Sequence, residues 1–231
     1  SWGWTGGEKK HNVVPAYIQN ITNIKINDSP NKNGILIVVT TVPKFCIYGS
    51  AFPVGYDQWL NGFNDLLALV NLLNDELVSL VTFRPSLSDF GLNQKNRILK
   101  EFPNIKIDDG SQKIYKVLGS YKLIIATSNT TSFLETFALN IPTIMFWDES
   151  YWEVNKESED LFSRLKDLNL FFNCSKELSI FINKNYDSID DWWSSHKIQD
   201  IRRELCSKYA NTSNDFVGDF SKILSKELSK L

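Results

Sequence analysis

Histidine is nearly absent from this 231-residue chain. Only His11 and His196 occur, neither beside a serine or cysteine in a nucleophile-elbow setting, which disfavours a hydrolase triad. Cysteine is scarce too: Cys46, Cys174 and Cys206 are odd in number, far apart and in no CxxC arrangement. That pattern excludes a disulfide framework or a zinc site and suits plain buried thiols in a cytosolic protein. HExxH, GxGxxG and GxxxxGK[ST] are all missing, which disfavours a zinc protease, an NAD-type dehydrogenase and a P-loop NTPase. No charge of one sign is in excess, since 25 basic residues face 27 acidic ones. A nucleic-acid partner is therefore not expected. No apolar run approaches the ~18 residues of a membrane span, and the start has neither the basic residues nor the apolar stretch of a signal peptide. A first methionine is also lacking; the opening Ser-Trp-Gly-Trp reads as the beginning of a piece of a longer chain.

What is present is ordinary globular material, 42% hydrophobic and 23% charged, enough for one α/β domain with a sizeable core. Short apolar, β-rich runs at 35–41, 77–83, 105–108, 123–127, 143–147 and 170–172 alternate with helical patterns. Leu60, Phe63, Leu67 and Val70 recur at helical spacing, widened by Leu66 and Leu73. Further helices fit 93–101, 112–118, 132–139 and 158–168. The strands show little polar alternation, so burial on both faces and a parallel sheet are expected. From about 176 to 231 the pattern is wholly helical and reads as a tail packed on the same domain. Residues 1–34, with Gly3, Gly6, Gly7, Pro15 and Pro30, read as a loop or linker. Five Asn-x-Ser/Thr sequons are expected by chance in so Asn-rich a chain and carry little weight.

Ligands of open parallel sheets bind beyond the carboxyl ends of the strands, which singles out four places. After 123–126 comes Thr127-Ser128-Asn129-Thr130-Thr131-Ser132 and then a helix with Glu135. Hydroxyls, free backbone N–H groups and a helix N-terminus together suit a phosphate; Ser132 with Glu135, or Thr131 with Leu134, also fits a plain capping pattern. Arg84, followed by Pro85, sits at a strand end where a guanidinium can hold a phosphate or carboxylate, or pair with Asp89. Asp108-Asp109-Gly110 reads as a solvated turn rather than a metal site. Trp147-Asp148-Glu149 offers an aromatic platform with carboxylates for a nucleoside or sugar, with core packing as the other reading of Trp147. Trp192-Trp193 reads as packing for the helical region.

The segment LIIATSNTTSFLETFALNIPTIMFW, residues 123–147, resembles the donor-binding segment in the C-terminal domain of GT-B glycosyltransferases, and VTFRP resembles the strand end of bacterial capsule and Kdo-type transferases. With SWGW, YDSIDDWW and RRELCSKYA, the chain is similar throughout to a bacterial transferase family of surface-polysaccharide and O-antigen loci. The resemblance implies a Rossmann-like parallel sheet flanked by helices, of GT-B C-terminal type, with residues 35–175 binding the nucleotide sugar. It implies no cofactor and no metal: the donor is a substrate, with Ser128 to Ser132 cradling its phosphate, Glu135 facing the ribose or supporting the turn, and Arg84 neutralising charge. Trp4 and His11 would lie near an interdomain cleft, with Trp147 and Asp148. The acceptor, a glycan or lipid-linked glycan, would be held by an N-terminal domain outside this chain, in the cytoplasm or peripherally at the inner membrane. The histidine usual at the capsule-type strand end is replaced here by Pro85, and no catalytic base is assigned. A noncatalytic carbohydrate- or nucleotide-binding module and a UDP-sugar epimerase-like domain are the alternative readings.

Overall fold

Strands without polar alternation are stable only where both faces are covered. The computed structural model, which describes residues 16–22, 32–44 and 54–229, shows that arrangement. Its strands are β1 (Ile35–Val38), β2 (Val81–Arg84), β3 (Lys106–Ile107), β4 (Leu123–Ala126), β5 (Thr143–Phe146) and β6 (Phe171–Phe172). All neighbours pair in parallel, in the order β3-β2-β1-β4-β5-β6. This is the Rossmann order, in which the direction of travel across the sheet reverses between β1 and β4. Each strand lies inside, or one residue past, a run that the sequence marks as β-rich.

Helices cover the two faces. α1 (Ala16–Thr22) precedes the sheet; α2 (Tyr56–Asn71), α3 (Asp75–Val78) and α4 (Gln94–Glu101) follow β1 and β2. α5 (Ile114–Val117), α6 (Thr131–Ala138) and α7 (Glu159–Asp167) come next, and α8 (Ser175–Asn185), α9 (Ile189–Ser194), α10 (His196–Tyr209) and α11 (Phe216–Leu228) complete the described chain. Alternate strand residues divide between two apolar layers. Ile35, Ile37, Leu123, Ile125 and Phe146 face α2 and α8. Leu36 and Ile124 face the α5 side, while Met145 and Phe171 meet α6, α7 and α10.

Two expectations are corrected. Residues 77–83 are not all strand: Leu77 and Val78 belong to α3. Asn74 precedes that helix, its carbonyl accepting from the Leu77 and Val78 N–H groups, and Asp75 and Glu76 favour a helix N-terminus through their charge. Nor is 1–34 wholly loop or linker, because α1 lies within it and buries Ile18 and Ile21, three residues apart on one helical face. Trp4, His11 and Cys46 lie outside the described residues.

The helical region after β6 is more than a tail. α8 packs beside α2 on one face, α9 passes the amino rim of the sheet, and α10 lies against α6 and α7 on the other. Tyr186 fixes the turn at that rim: its hydroxyl accepts from the Gly34 N–H at 2.8 Å and donates to Asn33 Oδ1 at 3.0 Å. Gly34 has φ +112, and a Cβ there would stand 3.2 Å from the Leu80 carbonyl oxygen, so glycine is required on both counts. Trp193 packs edge-on against Phe137 at 5.4 Å and donates to Asn140 Oδ1 at 3.0 Å, as the packing reading of the tryptophan pair expects. With the amino rim covered, the carboxyl rim is where side chains meet open space.

Candidate functional site

Register decides which strand ends meet. Val38 pairs with Arg84 on one side and with Ala126 on the other, so the segments leaving β2, β1 and β4 emerge about 4.8 Å apart from one strand to the next. They enclose a cleft of about 570 Å³ whose polar lining includes Arg84, Lys113, Ser128, Thr130, Thr131 and Ser132. Five of the residues singled out in the sequence are therefore brought together at one place. Asn129, in the same turn, and Glu135, one turn further along α6, do not line it.

Arg84 is held before any ligand arrives. Its Nη1 donates to Asp108 Oδ2 at 2.5 Å and its Nη2 to the Gln112 carbonyl at 2.6 Å, with both charged side chains nearly buried. The partner is thus Asp108 and not Asp89, which instead accepts from the Asn93 and Gln94 N–H groups. Asp108 also accepts from the Gly110 N–H, and Asp109 from the Ser111 N–H, each at 2.9 Å. These side-chain-to-backbone bonds make 108–111 a turn, as expected, with Gly110 at φ +73. Backbone bonding to Ser111 also holds the Asp109 carboxyl below its usual range. A pre-positioned guanidinium loses little freedom on binding an anion.

The turn after β4 is tied down at its base and open at its tip. Thr127 Oγ1 donates to the Val38 carbonyl at 2.8 Å, joining β4 to β1, and the buried Ser128 hydroxyl pairs with Thr130 Oγ1 at 2.9 Å. Thr130 occupies the N-cap position of α6 but makes no side-chain capping bond. The plain capping reading of this segment is therefore not what the structure shows. Thr131, the first residue of α6, lies one turn before Glu135. Among the described residues no side chain caps the first turn of α6, whose N–H groups and positive end lie at the cleft, the arrangement that binds phosphate in many folds.

Glu135 lies behind Thr131, buried at 5% exposure. Loss of solvation pushes its carboxyl up to about 7, against a smaller lowering by Thr131. At neutral pH it is divided between the acid and the carboxylate.

Trp147 and Asp148 fall on the other side of the strand ends. With Gln58, Trp59, Asp65 and Tyr151 they border a narrow second cavity of about 40 Å³. Asp148 Oδ1 accepts from the Ser150 N–H at 2.8 Å and its hydroxyl at 2.7 Å. Burial and the Asp148 charge together raise the Asp65 carboxyl above its usual range. Trp147 packs among Phe133, Phe162 and Phe171, so the core reading holds for its ring.

Sequence reasoning missed Lys113, Thr40 and Thr41, all lining the large cleft. The two threonines come one residue after β1, beyond Val39, and the rule that points to 127–132 points equally to them. The Thr40 carbonyl is pinned by Trp59 Nε1 and Gln94 Nε2, both at 3.0 Å, and Thr41 Oγ1 is buried with no hydrogen-bond partner among the described residues. Lys113 carries no such signal, because only the fold swings the turn after β3 over the cleft. Of the thiols, Cys174 and Cys206 are half-buried rather than buried; desolvation pushes Cys206 up to about 11, which makes it a poor nucleophile.

Comparison with known proteins adds the following. A family profile described as LIC12162 family transferase matches residues 1–224. No curated protein sequence matches the chain significantly. Among solved structures, the wall teichoic acid polymerase TagF is similar over 92% of this chain and 48% of its own, at 14% identity and a TM-score of 0.46. WaaG, a glycosyltransferase involved in lipopolysaccharide biosynthesis, is similar over 89% of this chain and 50% of its own, at 11% identity and a TM-score of 0.42. The chain spans about half the length of these structures.

Proposed function

The chain belongs to the LIC12162 transferase family, and from that premise we propose that it carries the nucleotide-sugar site of a glycosyltransferase for bacterial surface polysaccharide. One observation carries the reading: the uncapped N-terminus of α6 and the anchored Arg84 face the same cleft at the carboxyl ends of β1, β2 and β4. In glycosyl transfer the bond from the sugar to the phosphate breaks, and negative charge grows on the departing nucleotide. Donors fixed in advance around that charge stabilise the transition state more than the bound donor, which is how they raise the rate.

In this scheme the α6 N–H groups and the Thr130, Thr131 and Ser132 side chains receive the phosphate, and the Arg84 guanidinium and Lys113 supply positive charge. No metal is invoked: Asp108, the carboxylate beside Arg84, is already committed to that arginine. Glu135 faces the ribose side of the donor or supports the turn. The acceptor, a glycan or lipid-linked glycan, is brought by a part of the protein outside this chain, at the cytoplasmic side of the inner membrane. No helix among the described residues is long and apolar enough to cross a membrane.

A thermal-shift panel of CMP, UDP, GDP and their sugars tests the reading, because a ligand that binds only the folded state raises its melting temperature. At 100 times Kd the stabilisation is about 2.7 kcal/mol, a shift of roughly 5 to 10 °C for a domain of this size. A flat response to every nucleotide in the panel would overturn it.

A further inference from the structure

We infer that Gln94 is a positioning residue of the cleft at α6: its buried amide sets the gap between the two strand ends, of β1 and β2, beside which the phosphate is received. The inference rests on the nucleotide reading above and concerns how that site is built.

The ladder shows where the gap opens. Val38 pairs with Arg84, and the last bond between the two strands runs from the Val39 N–H to the Arg84 carbonyl at 3.0 Å. In a parallel pair the next bond would run from the Ser86 N–H to the Val39 carbonyl. Ser86 donates to Gln94 Oε1 instead, at 3.3 Å, and Gln94 Nε2 donates to the Thr40 carbonyl at 3.0 Å. One side-chain amide thus stands where direct pairing stops, and it joins residues 40–41 to residues 85–86, all of which line the cleft. Its own position is fixed. Gln94 is the first residue of α4 and 1% exposed, and its backbone N–H is held by Asp89 Oδ1 at 2.9 Å. A backbone N–H can meet only the amide oxygen and a carbonyl only the amide nitrogen, so the two partners allow one orientation. Gln94 does not itself line the cleft. It acts through Thr40 and Ser86, and so on Arg84 two residues earlier, and a spacing fixed before the ligand arrives removes an ordering cost from binding.

The test is calorimetric titration of the full chain with UDP, CMP and GDP at pH 5 and pH 8, each variant read against the parent at the same pH so that titration of Glu135 cancels. Gln94→Met keeps the length of the side chain and makes neither bond. It should bind nucleotide roughly tenfold more weakly at both pH values, while near-ultraviolet circular dichroism shows it folded. Gln94→Glu should divide by pH. Burial keeps its carboxyl protonated at pH 5, where the acid O–H serves Thr40 as the amide did and affinity returns toward the parent's; ionised at pH 8, it sets a carboxylate against the Thr40 carbonyl and opens the clamp. A merely structural glutamine would lower the melting temperature and leave the affinity of the folded chain unchanged. Parent-like affinity in Gln94→Met overturns the inference, even where Gln94→Glu binds weakly at pH 8, because that loss is then charge repulsion alone. So does an affinity in Gln94→Glu that is equally low at both pH values. If one variant fails to fold, the other decides. A parent that binds none of the three nucleotides overturns the nucleotide reading and this inference together, whereas a parent that binds, with variants that match it, overturns this inference alone.

Discussion

Burial of Glu135 in α6 raises its carboxyl to about 7, so the folded chain holds a proton that the unfolded chain has already lost above about pH 4.5. The native state then binds more protons between those values, and stability falls as pH rises through them. At ~1.36 kcal/mol per pKa unit the loss reaches roughly 3 kcal/mol and is complete by about pH 8. Glu135→Gln cannot ionise. Urea unfolding at pH 5, 7 and 9 should show the variant gaining on the parent by about that amount across the range, and parallel profiles would contradict it. Arg84→Ala and Thr131→Ala address the cleft. Each should weaken nucleotide binding by about 1 to 3 kcal/mol, the range for charge-assisted contacts, as read by calorimetry; unchanged affinity would remove both residues from the site. Arg84→Lys should not rescue the loss, since a point charge cannot serve Asp108, the Gln112 carbonyl and a phosphate in one plane.

Elements show where a one-dimensional reading succeeds. β1, β4 and β5 are legible because apolar runs without polar alternation, ILIV, LIIA and TIMF, have one stable environment, a strand covered on both faces. α3 is not, because Leu77 and Val78 continue an apolar run into β2 and only Asn74 at the N-cap position, with Asp75 and Glu76 in the first turn, marks a helix there. The same holds at the cleft. Arg84, at the end of β2, and Ser128, Thr130, Thr131 and Ser132, after β4, are brought to one cleft by the strand-end rule; Asp108 as the partner of Arg84 depends on β3 lying beside β2, a pairing of residues 24 apart that no local pattern encodes. Trp192-Trp193 shows that an aromatic pair can be assigned to packing from context alone. Trp193→Ala should cost about 3 to 5 kcal/mol, as large aromatic truncations do, measured as a lower urea midpoint with an unchanged m-value. Arg164 and Glu204 link α7 to α10 through bonds of 2.8 and 2.7 Å, but both are substantially exposed. Breaking that pair should cost under about 1 kcal/mol.

At the scale of the molecule, the Rossmann order leaves one rim for chemistry and gives the other to structure. α8, α9 and α10 run from one face of the sheet to the opposite one past its amino ends, so both apolar layers depend on residues after 175: Leu178 and Ile182 complete one, Ile198, Ile201 and Leu205 the other. A chain stopped at 174 keeps all six strand sequences and loses cover on both sides. It should collect in inclusion bodies or bind a hydrophobic dye strongly, whereas a stable monomer without dye binding would contradict the assignment. The wrap also has a consequence for synthesis. A ribosome releases the sheet before its coverings, so the nascent chain must carry its strands unprotected until α10 emerges, and it is in that interval that the protein is most exposed to chaperones and proteases.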